Sequence, residues 1–148
     1  MLLFGFAAIV ILFTILWVAS LRLENSSIAD VAWGPGILLI GLTYYFTSDG
    51  GGPRAYLTLA LLGIWAIRLA THLGIRTRLQ GEDFRYVKWR DEYNHWWFVS
   101  YFKVFLLQSV VGWFVSLPIY FAIVSLAPSS LTMLDYLGAL LVVSGLVV

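Results

Sequence analysis

The chain carries nine basic and eight acidic side chains, and ten of these seventeen fall between Arg76 and Lys103. Long uncharged runs flank that single polar island, whose centre reads GEDFRYVKWRDEY at 81–93. A soluble domain spreads charge over its surface. A chain that crosses a bilayer repeatedly confines charge to loops, because a charged side chain at mid-bilayer is costly. The pattern predicts an all-α, polytopic transmembrane bundle. Helices follow because hydrocarbon gives the backbone no partner but itself. No ten-residue alternation of a barrel strand occurs.

A span needs about 20 mostly apolar residues. Five segments meet or approach that length: 2–21, 28–47, 55–75, 104–127 and 133–148. The first lacks a basic n-region and reads as a spanning helix rather than a cleaved leader. The connectors Asn25-Ser26-Ser27, Asp49-Gly50-Gly51-Gly52-Pro53 and Pro128-Ser129-Ser130 are turn-rich. Pro118 should kink the fourth span unless neighbours offset it. The fifth is short for a span, so residues 1–148 are expected to be one transmembrane domain from the N-terminal part of a longer protein. The basic bias of the 76–98 loop predicts that loop in the cytoplasm and the N-terminus outside, as in a bacterial inner membrane. Within the loop Tyr86, Trp89, Tyr93 and Trp96 repeat at helical spacing, so 82–93 is expected to be an amphipathic interfacial helix with Trp89 and Tyr93 toward the membrane.

Several function classes drop out. A net charge of +1 gives no electrostatic case for nucleic acid. There is no Cys and there are only two His, so neither a thiolate nor a His-rich metal site is expected. No phosphate-binding glycine loop, metalloprotease helix or serine-hydrolase elbow is present.

The residues left to carry chemistry are few. Arg68, His72 and Arg76 stand at i, i+4 and i+8, a polar stripe on the third span. An intramembrane ionisable group points to a functional site unless it snorkels or is satisfied by a neighbouring helix. Asp30 opens the second span, either as a helix-start anion or as a cavity group that can reach Arg68 or His72. Gln108 needs a hydrogen-bond partner in its apolar run, whether a neighbouring helix or a ligand. Arg76, Arg78, Arg85 and Arg90 can meet lipid phosphate at the interface or an anionic cofactor.

Four segments taken together, SIADVAWGPG (27–36), LGIWAIRLATHL (62–73), GEDFRYVKWRDEY (81–93) and FKVFLLQSVVGWFVSLP (102–118), resemble the DUF1295 membrane proteins of the steroid 5-alpha-reductase-like superfamily. The resemblance implies a multi-helix membrane reductase that uses NADPH to reduce an activated carbon–carbon double bond of a lipid or steroid-like substrate. For such an enzyme the charges and positions above lead us to expect Arg76, Arg78, Arg85 and Arg90 on the cofactor side and Asp30, His72 and Gln108 lining the cavity, while the substrate-binding residues of the steroid reductases have no secure counterparts here. The LLQS element is similar to the LQG stretch of the steroid reductases, with Ser109 in place of Gly. The family's RHPNYFGE-like cofactor segment has no counterpart here, so most of the NADPH site is expected beyond Val148. The superfamily also contains S-adenosylmethionine-dependent methyltransferases. That chemistry, and a non-enzymatic membrane scaffold or binder, stand as alternatives.

Overall fold

The computed structural model describes residues 1–48, 51–125 and 130–147, and every regular element among them is helical. α1 (Leu2–Leu23) is apolar along its length and stops at Glu24, whose backbone is left-handed (φ 49°) and whose N–H caps Ser20 O. A short α2 (Ile28–Val31) leads at Ala32 into α3 (Trp33–Thr47). α4 (Pro53–Gln80) opens on proline, which suits a first turn that needs no N–H. It closes at Gly81, where φ of 81° favours a residue without Cβ.

α4 outruns its expected end at residue 75 and carries Arg76 and Arg78 as helix, not loop. Charge ends the hydrocarbon; only Gly81 ends the helix. α5 (Phe84–Glu92) falls within the expected 82–93, capped by Asp83, whose carboxylate accepts from Arg85 N–H. α6 (Trp96–Ser100), a π-helical stretch (Tyr101–Leu106) and α7 (Leu107–Val115) run continuously, so the fourth helix starts eight residues before the expected 104. α8 (Leu117–Val124) has Pro118 in its first turn, and α9 is Met133–Val147.

Among the described residues, three helical stretches are long and apolar enough to cross a membrane: Leu2–Leu23, Pro53–Gln80 and Trp96–Val115. The expected second and fifth spans are helices of 15 residues, α3 and α9, each about 22 Å long at 1.5 Å per residue. The 49–50 part of the glycine connector, the Pro128-Ser129 turn with the end of the fourth span, and the fifth span's terminal Val148 lie outside the described residues.

α3 is central, packed on α1, α4, α7 and α8. Its Ile40 and Tyr44 form one buried cluster with Ile9, Phe13, Phe105 and Ile123. The break before Pro118 is absorbed locally. Ser116 donates to Trp113 O at 2.6 Å, and its Oγ lies 3.0 Å from the Tyr44 hydroxyl. Gly34 lets α3 approach α4 closely, since a Cβ there would stand 3.0 Å from Ala66 Cα.

The aromatic stripe of the island turns inward. Tyr86 is 2% and Trp96 7% exposed. Trp89, expected toward the membrane, stacks between them with ring centroids 5.8 and 6.3 Å away. The Lys103 ammonium lies 4.0 Å from its ring centre. Tyr93 ends α5 and stays exposed.

Candidate functional site

The α1–α2 connector is clasped by the segment after α4, and the clasp builds the site. Ser26 N–H donates to Glu82 Oε1 at 2.6 Å, and Asp83 N–H donates to Ser27 Oγ at 2.8 Å. Ser26 and Ser27 are 2% and 1% exposed, so these backbone and hydroxyl groups need the partners the clasp provides. One Arg90 nitrogen donates to both Glu82 oxygens, at 2.9 and 3.0 Å, and to Glu24 O.

Once docked, the connector holds Asp30 beside α5 and α7. Asp30 accepts from the Tyr86 hydroxyl at 2.7 Å, from Gln108 Nε2 at 3.0 Å and from Arg85 at 3.2 Å. Asp83 accepts from Arg76 at 2.7 Å and from Arg85 Nε at 2.9 Å. The bonded Arg85 guanidinium holds the Asp83 carboxyl below its usual range, against the opposing effect of burial. Asp83 in turn keeps Arg85 more firmly charged. Burial, reinforced by the Asp30 carboxylate, drives the Tyr86 phenol far above its ordinary 10.0. Tyr86 therefore stays a neutral donor.

Asp30, Gln108, Arg76, Asp83 and Arg85 ring one end of a cavity of about 830 Å³. Trp33, Trp65, Leu69, Leu73, Leu107 and Val111 form its apolar wall. The cavity is thus amphipathic, with a polar end at the island and an apolar body between α4 and α7. Gln108 Oε1 is buried and has no hydrogen-bond partner among the described residues.

Asp30, Gln108, Arg76 and Arg85 come together here. Arg90 is nearby but committed to Glu82 and Glu24. Arg78, Arg68 and His72 are exposed on α4 and are not part of the cavity wall. The Arg68–His72–Arg76 stripe therefore does not act as one unit; only its last member reaches the cavity. Asp30 meets Arg85 rather than Arg68 or His72. Tyr86, Glu82, Ser26 and Ser27 were not anticipated as site residues. Tyr86 read as one more aromatic of a membrane-facing stripe, and the serines as turn residues. The available signal was Asp30 itself, since an acid in an apolar segment calls for donors, and a phenol can be one.

These arrangements do not fit a phosphate cradle. The Arg76 and Arg85 guanidinium groups are spent on carboxylates, and the cavity wall holds three acids (Asp30, Glu82, Asp83) against those two bases.

No curated protein and no solved structure matches the chain. The profile of the family described as "Protein of unknown function (DUF1295)" matches residues 16–148. This helical membrane protein, whose connector, island and Gln108 helix close around one amphipathic cavity, is a member of the DUF1295 family.

Proposed function

We propose that the protein is a membrane reductase of the steroid 5-alpha-reductase-like kind, which takes a lipid or steroid-like molecule into the amphipathic cavity and reduces an activated carbon–carbon double bond, with NADPH as hydride source. The observation that supports the reading is an apolar-walled cavity ending in the Asp30–Gln108–Arg85 group. An apolar body fits between α4 and α7, and its polar end meets the groups that can polarise it. Gln108 is the amide donor that can meet a carbonyl oxygen, with Arg85 held beside it by Asp30 and Asp83. Asp30 is the carboxylate that orients these two groups, and Tyr86 positions Asp30 from behind without lining the cavity. The nucleotide would supply hydride, but the paired arginines do not form its phosphate site, so no step is assigned to it. The basic bias of 76–98 supports a cytoplasmic polar end in a bacterial inner membrane.

The same pairing favours a second reading. Three acids against two bases in the wall suit a cationic sulfonium donor better than a polyphosphate, which is the methyltransferase alternative. The protein in lipid nanodiscs, given an enone lipid with NADPH or a methyl-labelled S-adenosylmethionine, separates the two. Enone loss that requires NADPH and falls in Asp30→Asn supports the reductase. Transfer of labelled methyl to lipid replaces it. Neither reaction leaves a binding protein.

A further inference from the structure

A second cavity, of about 620 Å³, lies against the same helix toward its other end, walled by α4, α8 and α9. Leu57, Leu61, Pro118, Ala122, Leu134 and Val142 line it, and the Arg54–Asp135 ion pair stands at its polar limit. One side chain belongs to both cavities: Trp65. On α4 the positions 57, 61, 65, 69 and 73 recur every four residues, so one helical face serves both spaces in sequence. Eleven residues separate Trp65 from Arg54 and from Arg76, about 16 Å of helix on each side. The stretch of α4 from Arg54 to Arg76 therefore runs about 33 Å, the thickness of a hydrocarbon core. Trp65 stands midway. Its indole is braced edge-on by Trp33, with centroids 6.4 Å apart.

We propose that Trp65 is the end-stop of the substrate cavity and sets the length of the apolar chain it accepts, by closing a bore that would otherwise continue into the second cavity. The inference rests on the reading of the first cavity as a lipid site and adds the ligand class: an elongated single-chain amphiphile with a hydroxyl-bearing head. Gln108 Oε1 carries the argument for the head, because it belongs to a cavity-lining side chain, is buried, and accepts nothing from the described residues. A ligand hydroxyl supplies the missing donor. The apolar wall from Trp65 to Leu73 then takes the chain, which stops at the Trp65 indole.

The test uses monoacylglycerols of graded chain length, each with a diazirine at the chain end, photolysed on the full chain in nanodiscs and mapped by peptide mass spectrometry. In the wild type, chains up to a limiting length should label around Leu69 and Val111, and longer ones should lose that labelling. In Trp65→Ala the limit should shift upward, and the long chains should label Pro118–Ala122 and Leu134–Val142 instead. Leu69→Trp should shift the limit the other way, by about 6 Å, one helical turn. Because the two variants act in opposite directions, a folding defect in either does not mimic the result. An unchanged limit and map in both variants overturns the end-stop while leaving the lipid cavity intact. No cavity labelling in the wild type at any length overturns the lipid reading and the end-stop with it.

Discussion

Asp30 draws donors from two other elements, and its neighbours differ in what each is worth. Tyr86→Phe removes a bond to a charged acceptor from a nearly dry site, which costs about 1.5–3 kcal/mol. Asp30→Asn should cost as much and should also weaken the contact to Arg85, whose side chain is 48% exposed and stays paired with Asp83, so that this part contributes less. Denaturation in mixed micelles, followed by Trp emission, reads both; equal stability of Tyr86→Phe and wild type would remove the hub. The two titrating groups nearby respond to pH in opposite directions. Asp83 is held below its ordinary 3.8, so the unfolded state binds its proton more readily. Its contribution is complete above that value and is lost as pH falls through the lower folded one. Tyr86 is held above its ordinary 10.0, so its contribution is complete below that pH and is lost as pH rises further. Resistance to denaturant should therefore fall as the pH drops below 3.8, and Asp83→Asn should remove that part of the acid dependence. The chain alone marked Asp30 and Gln108 as polar groups in apolar runs. It did not pair them, because their separation of 78 residues leaves no local trace.

The helices were legible as apolar runs, and their errors share one cause. Apolar runs report where hydrocarbon lies, whereas helices stop where the backbone turns. α4 passes through Arg76 and Arg78 to Gly81, and the α6–α7 run begins at Trp96, ahead of Lys103. The break at Ala32 and the one at Ser116 divide apolar segments that hydropathy reads as whole. Gly34 tests the packing that follows from the first break. A Cβ at 3.0 Å from Ala66 Cα meets backbone, which cannot swing aside. Gly34→Val should thus push α3 off α4 and cost about 1–3 kcal/mol. It should also change the cavity wall, because Trp33 precedes it. Loss of the Trp33–Trp65 contact, read as altered Trp emission, accompanies the destabilisation; a neutral Gly34→Val would mean the helices are not in contact there.

At the scale of the molecule, polar clasps stand at the two ends of α4. One is the connector clasp at Glu82–Asp83. The other is Arg54–Asp135, two parallel bonds of 2.7 and 3.0 Å. α9 packs chiefly on α4, so Arg54→Ala should loosen α9 selectively, and only modestly, because solvent screens the pair. Limited proteolysis should then cut near 130–133 faster while the rest of the chain resists. Since the protein has no native cysteine, single cysteines at Arg78 and Gly52 give an uncomplicated orientation test. They should react from opposite faces, with Arg78 on the cytoplasmic one; reaction from one face would reject the assignment. The alternation of polar and apolar stretches made the bundle legible, but not the clasps, which join residues 81 positions apart at Arg54 and 56 at the connector. That separation constrains the order of synthesis. When α1, α2 and α3 have left the ribosome, the buried Ser26 amide and the Ser27 hydroxyl have no partner, because Glu82 and Asp83 do not yet exist. The first helical pair must wait, inserted but unlocked, until the island emerges and fastens it. Nascent chains arrested before residue 80 should leave the 24–30 connector open to protease, and chains arrested after the whole island is exposed should not.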